Sequence, residues 1–220
     1  LVRIIEKPQK NQKMKLLHVN ASPRGAQSRT LEISKEFTST LKARYPDLEI
    51  KELDLNKIEL PKVVGGAVDA KYAIMQGGAP SEDARSTWEE IVALASDFVN
   101  HDMYPISSPM WNFSIPYRLK QYIDIIMQAG ILFNFTENGV EGLAKGKKMF
   151  CITTRGSNYA KGSPMEQFDF IEPYLRSIFG FAGIYDITFV NAQPLDYAPG
   201  ITQSSMQLAK HEAQQMAAAI

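Results

Sequence analysis

The sequence predicts an α/β fold built on a doubly wound, five-stranded parallel sheet with strand order 2-1-3-4-5. Three observations predict it. Short apolar runs alternate with longer stretches of helical periodicity, the pattern of successive β/α/β units. The 220 residues suit a single domain, since such domains commonly run to about 250 residues. No internal repeat or low-complexity tract interrupts the alternation.

The first apolar run, residues 15–21, reads as a strand, and the loop 22–28 leads from it into a helix. That helix carries Leu31, Ile33, Phe37 and Leu41 on its apolar side. A second strand is expected at 48–54. Residues 56–82 contain Gly65-Gly66 and Gly77-Gly78 among alanines and read as a long, partly helical insertion. Connections of that length commonly serve as lids or subunit contacts. A helix over 82–99 leads into a third strand at 103–109. Pro105 removes a ladder donor there, so either the strand bulges or the register differs.

The next helix places Ile115, Leu119, Tyr122, Ile123 and Ile126 at spacings of three and four, with Pro116 near its tolerant first turn. Residues 131–143 read as a β-hairpin excursion around Glu137-Asn138-Gly139, because Asn-Gly is a strong hairpin signal. Strand four follows at 148–153. A helical region covers 163–180, where Pro173 implies a kink or a late start. Strand five lies at 185–191 and a closing helix at 202–220. Residues 1–13 read as an extension, and the domain spans 14–220.

Lys plus Arg and Asp plus Glu number 24 each. This balance argues against a nucleic-acid binder, which carries a basic excess. It also removes the strongly acidic surface of a dedicated electron shuttle. The single cysteine, Cys151, excludes an intrachain disulfide and a cysteine-rich metal site. Within the apolar run 149–152 it reads as a small buried hydrophobe. No stretch reaches the roughly 18 apolar residues of a membrane span, and the first residues lack the pattern of a signal peptide. The expectation is a cytoplasmic protein with no membrane or nucleic-acid partner and no metal. His18, His101 and His211 have no motif partners and read as structural. Asp169 and Glu172 read as a solvated helix face.

In a doubly wound sheet a ligand sits beyond the carboxyl ends of the strands, where the winding reverses. The loops after strands one, three and four are therefore the candidates. The first holds Ser22, Arg24, Ser28, Arg29 and Thr30 at a helix start, where free backbone N–H groups bind phosphate. Ser28 equally suits a simple helix cap. The second, Pro109-Met110-Trp111-Asn112-Phe113, combines flat apolar surface with an amide, as a planar heteroaromatic ring requires. The third is Thr154-Arg155-Gly156-Ser157, in which Gly156 permits close backbone approach to a ligand edge.

The segment Pro109 to Phe113 with Ile115-Pro116 and Leu119-Lys120-Gln121-Tyr122-Ile123-Asp124 resembles the FMN-dependent NADH-azoreductases and NAD(P)H:quinone oxidoreductases. So do Phe135-Thr136-Glu137-Asn138-Gly139, Glu141-Gly142-Leu143, Thr154-Arg155-Gly156 and Phe179-Gly180-Phe181-Ala182-Gly183. The resemblance implies a flavodoxin-like homodimer with FMN in each subunit. Ser22, Ser28, Arg29 and Thr30 would hold the phosphate. Pro109, Met110, Trp111, Asn112 and Phe113 would line the ring, and Thr154, Arg155, Gly156 and Ser157 its edge. It implies ping-pong hydride transfer from NADH or NADPH, through flavin N5, to quinones or aromatic azo compounds, without a protein nucleophile. Relatives often carry glycine where Ser157 stands, histidine where Tyr159 stands and tyrosine where Trp111 stands. Trp111, Phe113 and Tyr159 are the candidates for stacking on substrate. The competing class is a flavodoxin-type electron carrier or a non-catalytic FMN-binding protein.

Overall fold

The computed structural model describes residues 13–220, so the extension expected at 1–13 lies, except for Lys13, outside the described residues. In chain order the elements are β1 (Lys15–Asn20), α1 (Arg29–Arg44), β2 (Glu49–Asp54), α2 (Gly66–Met75), α3 (Glu82–Val99), β3 (Met103–Pro109), α4 (Tyr117–Ile126), β4 (Phe133–Thr136) and β5 (Gly139–Gly142). They continue with β6 (Lys148–Thr154), α5 (Ile171–Phe181), β7 (Asp186–Ala192) and α6 (Pro199–Ala218). Short 3-10 turns occupy Gly25–Gln27 and Glu166–Phe168.

The sheet is parallel, in the order β2-β1-β3-β6-β7, and β4-β5 form a separate antiparallel hairpin. The numbers differ from the expected 2-1-3-4-5 because the hairpin contributes two strands of its own. The central strands β1, β3 and β6 are almost wholly buried along their length, as strands covered on both faces must be. Alternate residues feed the two cores. Leu17, Val19, Met149 and Cys151 face α3, α4 and α5 through Phe98, Leu119 and Phe179. Leu16, Phe150 and Ile152 face α1 and α6 through Ile33, Phe37 and Ala213.

Pro105 neither bulges β3 nor shifts its register. The β1–β3 pairing lapses at Tyr104 and Pro105, then resumes at Ile106 with the same offset. Pairing with β6 is unbroken from Met103 to Pro109, so the missing donor falls on the β1 side. The hairpin turn is Glu137-Asn138, with Thr136 paired to Gly139, one residue earlier than an Asn-Gly centre. Pro173 marks a late start instead of a kink. α5 begins at Ile171, placing proline in the first turn, where its absent N–H has no helical acceptor to miss. The 56–82 insertion holds one helix, α2, packed on α3.

Candidate functional site

β1 delivers the chain to Ser22, whose N–H donates to Asn20 Oδ1 at 2.9 Å. The Ser22 and Ser28 hydroxyls then meet at 2.7 Å. Ser28 is the N-cap of α1, and its Oγ accepts from Leu31 N at 3.1 Å. The cap leaves the N–H groups of Arg29 and Thr30 without helical acceptors, as the first turn of any helix does. Capping and anion binding are therefore compatible here. Thr30 Oγ1 lies 2.7 Å from Thr154 Oγ1, joining the first loop to the end of β6. Met110 N donates to Thr154 O at 2.8 Å and fixes the second loop against the third.

Beyond Met110 the chain forms a miniature hairpin in which Trp111 and Ser114 exchange backbone hydrogen bonds of 2.9 and 3.0 Å. Asn112 and Phe113 form its turn with φ of 47° and 70°. Phe113 O accepts from Phe170 N at 3.0 Å, and the Phe113 and Phe168 rings lie 5.3 Å apart.

A fourth loop, after β7, completes the enclosure. Leu195 N donates to the carbonyls of Arg155 and Gly156, and Asp196 N to Gly156, each at 3.0 Å. Arg29 donates to Leu195 O at 2.6 Å and to Asp196 Oδ1 at 2.8 Å. A methyl group on Gly156 would stand 2.5 Å from Asp196 Oδ2, so the glycine accommodates that close approach. Sequence reasoning missed this loop, because the winding rule singles out only strands at the reversal.

One narrow cleft of about 150 Å³ brings together Ser22, Ser28, Arg29, Thr30, Pro109, Met110, Trp111, Thr154, Arg155 and Gly156, with Arg24, Leu195 and Asp196. Asn112 instead lines an adjoining hollow of about 440 Å³, shared with Trp111, Tyr117 and Tyr174. Burial, with Asp124 adding to it, pushes the Tyr174 phenol up to about 12. It is therefore a neutral donor at ordinary pH. Phe113 lines neither space and is exposed, Ser157 is half-buried beside Gly156, and Tyr159 is buried beside a third hollow that Arg155 also lines.

Asp169 does not belong to a solvated face. Its Oδ2 accepts from buried Arg155 Nη1 at 2.8 Å, and its Oδ1 accepts from Ile171 N at 3.0 Å. Burial lowers the Arg155 pKa from its ordinary value while the Asp169 charge opposes the shift. Glu172 is likewise engaged, with Arg176 at 2.7 Å. His18 has partners that no motif displays: Nε2 lies 2.6 Å from Ser107 Oγ, and Nδ1 lies 2.6 Å from Glu52 Oε2 without hydrogen-bond alignment. Ser107 continues to Ser34 at 2.6 Å. His101 Nδ1 contacts Asp97 O at 2.7 Å. These two histidines tie elements together, outside the cleft. Among the described residues no grouping of His, Cys, Asp and Glu is arranged to hold a metal ion, and no helix is long and apolar enough to cross a membrane.

A capped helix start, an aromatic loop and a glycine loop meeting beyond the carboxyl ends of a parallel sheet define a nucleotide-binding doubly wound protein. The model of the flavodoxin-like fold family matches residues 14–217. FMN-dependent NADH:quinone oxidoreductase 3 of Pseudomonas fluorescens is 36% identical over 206 residues, covering 92% of this chain and 95% of that protein. The azoreductase of Bacillus anthracis str. Sterne superposes with a TM-score of 0.87 at 27% identity, over 94% of this chain and 100% of its own. An FMN-dependent NADH-azoreductase of Bacillus anthracis str. Ames Ancestor, solved in complex with FMN, gives 0.82 at 27% identity, over 93% and 99%. The chain belongs to the flavodoxin-like family, and within it to the FMN-dependent NADH:quinone oxidoreductases.

Proposed function

We propose that this chain binds FMN in the cleft described above and uses NADH to reduce quinones and aromatic azo compounds. The observation that carries the reading is the convergence of the expected cofactor residues, all but Asn112, Phe113 and Ser157, on one cleft at the winding reversal. The names of the relatives support the donor and the acceptor classes.

The residues present suit the cofactor. The free N–H groups of Arg29 and Thr30, with the Ser22 and Ser28 hydroxyls, present donors and helix-terminal positive charge to a phosphate. Met110 and Trp111 offer an apolar face beside the broader hollow. Arg155 lines the same cleft, and its buried Nε and Nη2 have no acceptor among the described residues. FMN, when bound, supplies the N5 that accepts hydride from the donor and yields it to the acceptor. The chain's own residues bind and orient rings, with Trp111 and Phe113 exposed for stacking on whichever partner is present. Tyr159 is a weaker stacking candidate because its ring is buried.

A homodimer fits the same reading. Phe135, Phe181 and Tyr185 are exposed along the hairpin and the end of α5, an apolar surface suited to a second copy.

Purified protein supplied with FMN tests the proposal. The bound cofactor should absorb near about 370 and 450 nm, as oxidised flavins do. Anaerobic NADH should bleach it, and a benzoquinone or an azo dye should restore the colour. Retention of FMN without bleaching would make the chain a binding protein, and failure to retain FMN would overturn the reading.

A further inference from the structure

Four large aromatic side chains gather at the Trp111–Ser114 turn and the segment packed on it. Trp111, Phe113, Phe168 and Phe170 are all exposed. Apolar rings left in water as a group mark a binding surface, whereas single exposed ones need no explanation. Trp111 lines both the cleft and its adjoining hollow, and Phe113 follows two residues later in the same turn. The Phe168 ring lies 5.3 Å from the Phe113 ring, with 31° between their planes. Both rings stay open to solvent, so the pair offers a ligand more aromatic surface than either ring alone.

Phe168 belongs to neither apolar core, yet its place is fixed. It closes the 3-10 turn Glu166–Phe168, where Phe168 N donates to Met165 O at 3.0 Å. Two residues on, Phe170 N donates to Phe113 O at 3.0 Å. Between them, Asp169 Oδ2 accepts from Arg155 Nη1 at 2.8 Å and its Oδ1 from Ile171 N at 3.0 Å. Arg155 is part of the cleft wall. The segment is therefore tied to the aromatic turn on one side and to the end of β6 on the other. A ring held in advance costs little further ordering when a ligand settles on it.

We propose that Phe168 is a specificity-determining residue for the electron acceptor, forming with Phe113 a platform for the far ring of two-ring aromatics, namely diaryl azo compounds and fused-ring quinones. The proposal rests on the function proposed above and names the acceptors that the site favours. A one-ring quinone has no second ring to place on the platform while its own ring engages the hydride donor. A two-ring acceptor does.

The test uses the FMN-loaded full chain with excess NADH, comparing kcat/KM for benzoquinone with that for naphthoquinone and for methyl red. Phe168→Ala should lower the two-ring to one-ring ratio about three- to tenfold, the worth of one aromatic contact. The loss should appear in KM instead of kcat, because the platform touches a ring remote from the reacting atoms and holds ground and transition states alike. Phe168→Tyr, which keeps the ring, should keep the parent ratio. Should Phe168→Ala fail to fold, Phe168→Leu, which keeps apolar bulk without the ring face, carries the same direction of change. A merely structural role would weaken every acceptor equally. That result, an unchanged ratio or a loss confined to kcat overturns the proposal and leaves the reductase reading standing. A parent protein that oxidises NADH with none of the three acceptors refutes the function proposed above instead.

Discussion

At Phe113 a single residue sets local strain against use. The two-residue turn between Trp111 and Ser114 requires positive φ at both central positions. Asn112 tolerates 47°, but Phe113 at 70° is a bulky side chain in the left-handed region, at a cost of about 1–2 kcal/mol. The ring recovers about 0.5–1.5 kcal/mol by packing on Phe168, and it is 41% exposed. These terms nearly cancel. Phe113→Gly, which relieves the backbone and deletes the ring, is expected to change unfolding free energy by less than about 1 kcal/mol. A buried Phe, by contrast, costs about 3–5 kcal/mol on truncation to Ala. The same variant should raise KM for aromatic acceptors several-fold. Urea unfolding beside steady-state kinetics checks both halves, and a large stability loss would show that the turn is not strained. Strain of this kind gathers where a ligand needs a side chain that the backbone would not choose.

At the scale of elements, the β4–β5 hairpin is attached by a contact only glycine permits. A Cβ on Gly142 would lie 2.2 Å from Gly183 N and 2.3 Å from Ala182 C, backbone atoms that cannot swing aside. Gly142→Ala must push the hairpin off the end of α5, with an expected loss of about 3 kcal/mol. A thermal midpoint within a degree or two of the parent would contradict that close approach. The hairpin was legible in the sequence, as were the sheet strands and α1, α3 and α4, because period and turn chemistry are local. Pro105 suggested a bulge or a shifted register and neither holds, since whether a missing donor matters depends on the strand beside it. The same limit hid the Arg155–Asp169 pair, two residues with no common periodicity that meet only once β6 and α5 are in place. It hid the His18–Ser107–Ser34 chain, drawn from β1, β3 and α1. The three loops of the cleft were readable because the winding rule fixes where such loops meet, whereas the Leu195–Asp196 loop enters through hydrogen bonds to their backbone.

For the whole molecule, the core holds ionisable groups whose protons folding retains. The Tyr104 hydroxyl lies 2.8 Å from the carbonyls of Phe98 and His101, while the Tyr122 hydroxyl is buried without a partner among the described residues. Burial, the leading cause in each case, pushes both phenols well above their ordinary 10 and the Cys151 thiol well above its ordinary 9. In the unfolded chain these groups lose their protons as pH passes those ordinary values; in the fold they keep them. Unfolding therefore releases protons above about pH 9, and stability, fully present below that pH, falls as pH rises. Each group contributes a slope of up to about 1.4 kcal/mol per pH unit. The three together can consume a typical domain stability of about 5–15 kcal/mol within a few units above pH 10. The thermal midpoint should be level from pH 7 to 9 and drop steeply beyond 10. Cys151 is the chain's one cysteine and wholly buried, which makes it a clean reporter. A thiol reagent should label it only as the helical circular-dichroism signal collapses, because the thiolate forms only when the core opens. Labelling at pH 10 that precedes any loss of that signal would show that the interior admits hydroxide or reagent locally, and the cooperative alkaline transition argued here would not exist.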